Sequence, residues 1–204
     1  MNKQRGATLI EMMIAMLLGI TALSVLSSVI GMGVGSNGRM LAQTRLKEEL
    51  SSIMALIVRD VRRAGYFANT NLMVADPTNN PNPFANSIVV SEFAGEAANS
   101  CLLYSYDGNG NGVIDAAPSE AYGFRLRENS LEMRQGGLTC TEAGWQDLTD
   151  DDVVSVTGLT FNVVQTVANN VNSYEVTVTL QGTLADLPNV SRTYAETFLV
   201  RAYD

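Results

Sequence analysis

The sequence contains no histidine. Ser-His-Asp, Cys-His and His-metal sites therefore cannot be assembled within it, because histidine is the commonest general base and the commonest zinc ligand. Lysine is almost absent: Lys3 and Lys47 are the only two, and residues 66–204 have none. That C-terminal stretch holds five arginines against seventeen Asp and Glu, a net −12 in a chain whose total is −8. Binding a phosphate backbone needs clustered Lys and Arg, so nucleic acid is not an expected partner. There is no Gly-x-x-x-x-Gly-Lys-[Ser/Thr] segment to cradle nucleotide phosphates. Enzymatic chemistry has little to work with here, and a structural role is the stronger expectation.

Charge is missing from a second place. Between Ala7 and Gly38 the chain has one charged residue, Glu11, and no proline. Leu9, Ile10, Met12, Met13, Ile14, Met16, Leu17, Leu18 and Ile20 make the start of this run apolar on every side. About twenty helical residues at 1.5 Å each cover a bilayer core of about 30 Å, so residues 7–35 read as a membrane-spanning helix. Lys3 and Arg5 precede it, which keeps the N-terminus cytoplasmic and carries the acidic remainder across the membrane. Four glycines between Gly31 and Gly38 predict a bend or a local melting point, since each weakens a helix by about 1 kcal/mol relative to alanine.

Helical periodicity resumes over residues 36–65. Leu46, Leu50, Ile53, Met54, Ile57, Val61 and Ala64 recur at spacings of three and four, and Gly65 is placed to end the helix. Arg59, Arg62 and Arg63 form a basic end to this segment, read as a solvated face, with acidic neighbouring heads as the alternative. Residues 68–87 are rich in Asn, Pro and Thr and read as loop. Strand patterns then follow at Ser87–Phe93, Leu102–Tyr106, Ala121–Arg127, Ser130–Arg134, Val153–Val164, Ser173–Gln181 and Arg192–Ala202. Glu128-Asn129 reads as a tight hairpin turn, and Asn169–Asn172 and Leu184–Asn189 as longer loops. Strand after strand with no helix between them predicts an α+β fold: a long N-terminal helix packed on a mainly antiparallel sheet.

Arg5-Gly6-Ala7-Thr8-Leu9-Ile10-Glu11, with its basic leader and apolar helix, resembles the class III signal of type IV pilin-like proteins. The resemblance implies a pilin-like fold and cleavage by a prepilin peptidase between Gly6 and Ala7, with methylation of the new N-terminus. Glu11 then falls at the family's glutamate position. Many members begin the mature chain with Phe, where this sequence has Ala7. A carboxylate in an apolar setting is costly unless paired, and a neighbouring subunit's Ala7 amine would pair it and set the stacking register. A carboxylate resting at headgroup level is the simpler alternative. The length, the segment Arg62-Arg63-Ala64-Gly65-Tyr66-Phe67, the cysteine pair and an Asp/Asn-Gly loop further resemble PilW-type minor pilins.

That loop, Asp107-Gly108-Asn109-Gly110-Asn111-Gly112-Val113-Ile114-Asp115, follows the first nine positions of a calcium loop. Asp107, Asn109, Asn111 and Asp115 would supply side-chain oxygens and Val113 a carbonyl. The twelfth position is Pro118, where a bidentate glutamate would stand, and Glu120 is the nearest substitute. Weak Ca2+ affinity is expected, with an ion-free Asx turn as the alternative. Cys101 and Cys140 are the only cysteines; in an oxidising compartment they form one disulfide worth roughly 3–4 kcal/mol, with two separate buried thiols as the alternative. Asp150-Asp151-Asp152 reads as a solvated turn and Trp145 as core or subunit contact.

The resemblance implies a non-enzymatic minor pilin that primes or supports type IV pilus assembly at the inner membrane. Its domains are a leader at 1–6, an anchor or filament-core helix at 7–35, an amphipathic helix at 36–65 and a β-rich head at 66–204. The head would be periplasmic and later on the pilus or cell surface. Implied partners are other minor and major pilins, the prepilin peptidase, the membrane and the inner-membrane assembly platform. A J-type minor pseudopilin of a type II secretion system is the alternative; an adhesive or DNA-uptake tip protein and a membrane-anchored enzyme fit less well.

Overall fold

The apolar stripe on residues 46–64 needs a surface to cover it, and three long strands supply one. The computed structural model describes residues 8–117, 119–137, 139–168 and 171–203. The leader at 1–6, the cut site at Gly6 and Ala7, Pro118 and the expected loop residues Asn169 and Asn170 lie outside those residues. The chain divides into two units, Met1–Thr44 and Arg45–Asp204.

Helix α1 covers Leu9–Val61. Residues 31–38 are helical throughout, which corrects the expected melting point. Glycine weakens a helix but keeps its N–H; without a proline the i→i−4 ladder continues. In the first unit the large apolar side chains from Leu9 to Val34 are all exposed. Its most apolar window has a mean hydropathy of 2.3 and is 0 % buried, long and apolar enough to cross a membrane.

In the second unit α1 buries Leu46, Leu50, Ile53, Met54, Ile57, Val58 and Val61. The covering sheet is an antiparallel meander of β6 (Val154–Ala168), β7 (Val171–Leu184) and β8 (Leu187–Tyr203). Tyr174, Val176, Val178 and Leu180 alternate inward along β7 and are buried, as the period-two pattern predicts. A Cβ placed on Gly182 would stand 3.0 Å from Leu50 Cδ2, so helix and sheet are in direct contact there. β7 and β8 are joined through Ala185-Asp186, far shorter than the loop expected at 184–189. Pairing extends both strands into residues that read as polar loop, with a shift of register between Thr183 and Leu184.

A second sheet has the order β1-β2-β3-β4-β5: Val89–Ser91, Cys101–Ser105, Ala121–Arg127, Ser130–Gln135 and Gln146–Asp147. All pairs are antiparallel. The single expected sheet is thus two sheets. Loop carbonyls join them: the Val156 N–H donates to Asn129 O at 2.8 Å and the Phe161 N–H to Asn99 O at 2.9 Å. Glu128 and Asn129, at φ 50° and 65°, form the two-residue β3–β4 turn. Both φ values suit a primed turn, so the hairpin closes without Asn-Gly. The expected loop at 68–87 contains a short helix, α2 (Thr70–Ala75), whose Met73 packs with Phe67 and Phe84.

The chain leaves α1 through Gly65, at φ +77°. The Gly65 N–H donates to Ser105 O at 3.0 Å, and a Cβ there would sit 2.4 Å from Ala202 Cβ. Both the left-handed backbone and the contact with β8 demand glycine. Gly65→Ala should cost about 2–3 kcal/mol and lower the melting temperature by roughly 5–10 °C, read by circular dichroism of the detergent-solubilised chain.

Candidate functional site

Thr8 and Glu11 open α1 as a reciprocal pair. The Thr8 N–H donates to Glu11 Oε2 at 2.9 Å and the Thr8 hydroxyl to the same oxygen at 3.0 Å. The Glu11 N–H donates back to Thr8 Oγ1 at 3.4 Å. This is a capping box, and its Thr-x-x-Glu signature was legible in Thr8-Leu9-Ile10-Glu11. The carboxylate thus has a local role that the assembly argument did not supply: it fixes where the apolar helix begins.

The loop at 107–120 is organised around two buried carboxylates, Asp107 and Glu120. Asp107 Oδ1 accepts from the N–H groups of Gly110 (2.6 Å) and Asn111 (3.1 Å), and Oδ2 from those of Gly112 (2.9 Å) and Ala68 (3.0 Å). Glu120 Oε1 accepts from Gly108 (2.7 Å) and Asn109 (3.3 Å), and Oε2 from Asp115 (3.1 Å). The Nδ2 groups of Asn109 and Asn111 both donate to Asp115 Oδ2 at 2.6 Å, bringing three of the expected calcium ligands together. Gly112, at φ +80°, makes the sharp turn that the sixth position of such a loop requires.

The loop is closed by its own hydrogen bonds. Among the described residues no group of three or more His, Cys, Asp or Glu forms a metal cluster, so an ion here would depend on the two asparagines and on carbonyls such as that of Val113. Ile114, the eighth residue of the loop, is exposed.

Cys101 and Cys140 form a disulfide with a Cα–Cα distance of 6.2 Å. It ties β2 to the 136–145 loop, and a buried cation reinforces the tie. Arg125 is fully buried, ion-paired to Glu132, its cross-strand partner on β4. Its Nη1 donates to the carbonyls of Cys140 (2.6 Å) and Glu142 (2.9 Å). Its guanidinium lies 4.9 Å from the Phe93 ring and 4.5 Å from Trp145, whose Nε1 donates to Thr139 O at 3.2 Å. Counting outward from the Glu128-Asn129 turn pairs Arg125 with Glu132, so a sequence signal existed. Nothing local marked the pair as buried.

Burial raises the Tyr104 and Tyr106 hydroxyls above the ordinary tyrosine range. The Thr139 N–H holds Glu142 below the usual glutamate value. Asp150, Asp151 and Asp152 form the expected exposed turn before β6. Arg59 pairs with Asp60 at 3.2 Å, whereas Arg62 and Arg63 stack on the Phe198 and Tyr106 rings.

An apolar, capped N-terminal helix whose C-terminal half packs on an antiparallel β head, with the leader motif before it, defines a type IV pilin-like protein. Comparison with known proteins agrees. Residues 1–33 match the prokaryotic N-terminal methylation motif, and residues 39–200 match prepilin peptidase-dependent protein B. The chain belongs to the prepilin peptidase-dependent protein B family. It is 27% identical over 177 residues to the protein of that name from Escherichia coli (strain K12), covering 80% of this chain and 79% of that one. It is 25% identical over 196 residues to an uncharacterized Haemophilus influenzae (strain KW20) protein, covering 74% and 77% respectively. No solved structure matches.

Replacing Arg125 by Met strands the Glu132 carboxylate in the interior. The expected loss is about 3–5 kcal/mol by urea denaturation, and adding Glu132→Leu should recover most of it.

Proposed function

We propose that this chain is a minor pilin, a non-enzymatic structural subunit that primes or supports type IV pilus assembly from the inner membrane. The observation that carries the proposal is the first half of α1: an apolar helix that the chain itself leaves wholly exposed, with Glu11 its only charge before Arg39. Such a surface needs lipid before assembly and neighbouring helices afterwards. In this reading the leader ends at Gly6, and prepilin peptidase cleavage and methylation give Ala7 as the new N-terminus. The helix from 7 to 35 crosses the membrane and then enters the filament core, and the head is periplasmic before it is surface-displayed. Glu11 meets the Ala7 amine of a neighbouring subunit, and that pairing fixes the stacking register.

Glu11→Ala should leave membrane insertion intact and reduce recovery of the protein in sheared pilus fractions about tenfold, the loss of a buried charge partner being worth that much or more. Unchanged recovery would remove Glu11 from assembly. Recovery with secretion-system filaments and none in pili would favour the J-type pseudopilin.

The oxygens of Asp107, Asn109, Asn111 and Asp115, with the Val113 carbonyl, are proposed to take Ca2+ with a dissociation constant of about 10⁻⁴–10⁻³ M. Calorimetry of the detergent-solubilised chain with CaCl2 should give saturable heat that Asp115→Asn abolishes. No heat at millimolar Ca2+ would remove the ion and leave the pilin reading untouched.

A further inference from the structure

The C-terminal end of α1 borders a cavity of about 540 Å³ that the assembly reading does not use. Arg62, Arg63, Tyr66, Phe67, Asp107 and Arg201 are among the residues that line it. Three arginines therefore border one cavity, on a unit that is otherwise strongly acidic. Among the described residues, none of the three makes an ion pair. Among the described residues Asp107 is the only carboxylate in the lining, and its oxygens already accept four backbone N–H groups.

Two of the arginines are held in place. The Arg63 guanidinium carbon lies 4.0 Å from the centre of the Tyr106 ring, and Tyr106 stacks on Tyr122 with centroids 4.4 Å apart. Arg62 lies 5.5 Å over Phe198. Stacking covers the flat face of a guanidinium and leaves the N–H donors around its edge free, the arrangement that grips a carboxylate through two parallel hydrogen bonds. Side chains already fixed this way lose less entropy on binding. The volume is within the usual range of ligand sites, about 300–1,000 Å³.

We propose that this cavity is a docking site for a short acidic segment, presenting two or more Asp or Glu carboxylates, on a neighbouring pilin-like subunit. Charge complementarity selects the occupant. A head with a net charge of −12 over residues 66–204 repels long polyanions, while three local arginines accept a few carboxylates at short range. The partner's identity rests on the filament-subunit reading; the carboxylate chemistry does not.

The test has two arms. In the first, full-length protein in detergent micelles is titrated with a fluorescent peptide containing Thr-Asp-Asp-Asp-Val and with its Asn counterpart, and anisotropy is recorded. The acidic peptide should bind, weaken as salt rises, and lose about tenfold in affinity with Arg62→Gln/Arg63→Gln. Arg201→Gln, at an exposed position with no described side-chain partner, should lose severalfold without a change in melting temperature. Equal binding of the Asn peptide would overturn the proposal, as would full competition by equimolar inorganic phosphate, which would make the cavity a small-anion site.

In the second arm, Arg201→Glu is introduced into cells with Glu11 intact. Recovery in sheared filaments should fall at least fivefold, and unchanged recovery would overturn the docking role. If the unsubstituted protein is itself absent from sheared filaments, the subunit reading fails on its own evidence, while the peptide arm still reports on the cavity.

Discussion

The first half of α1 is the constraint on which the rest depends. Between Leu9 and Val34 the helix presents Leu, Ile, Met and Val on all sides, and the chain buries none of them. Each such side chain left in water forgoes about 1.5–3 kcal/mol, so the segment needs lipid or other helices. The Thr8–Glu11 capping box settles where the helix starts. It satisfies N-terminal donors that have no partner within the helix.

The head solves a different problem. A helix with one apolar stripe needs a single covering surface, and the β6–β8 meander provides it with alternating inward side chains. The five-stranded sheet is secured by other means. The disulfide and the fully buried Arg125 act on the same segment: one pins Cys140 to β2, the other holds the carbonyls of Cys140 and Glu142 from β3. A buried ion pair is weak evidence for stability, but the same guanidinium also serves as a four-sided clamp between Glu132, Phe93, Trp145 and the loop.

The end of α1 joins these parts. Gly65 donates to Ser105 O, the Asp107 N–H donates to Tyr66 O, and the Ala68 N–H donates to Asp107 Oδ2. The Asx-rich loop is therefore fastened to the segment that leaves the helix. Arg62 and Arg63 take their positions from aromatic rings on β8 and just after β2. The oxygen cluster and the arginine cavity, opposite in charge, share Asp107 and Gly108 as a common wall. The Asp107 oxygens are already engaged by four backbone N–H groups.

Much of this was written locally. The apolar run, the Gly-Ala-Thr-Leu-Ile-Glu motif, the 46–64 stripe and the period-two pattern of β7 each depend on neighbours within a few residues, and each was legible. Sequence also carried the capping box and the Arg125–Glu132 register, because a cap and a two-residue turn fix their partners by counting. It did not show that the strands part into two sheets, that Arg125 is buried, or that polar residues around 184–189 continue a hairpin. Those outcomes turn on which surfaces meet, and pairing energy between distant segments outweighs local propensity. The chain by itself therefore determined the kind of protein this is, since the leader motif and the apolar run occupy one contiguous stretch. Only the tertiary structure decided what the head offers to a partner, because Arg62, Arg63 and Arg201 share one cavity only after α1 has packed on β8.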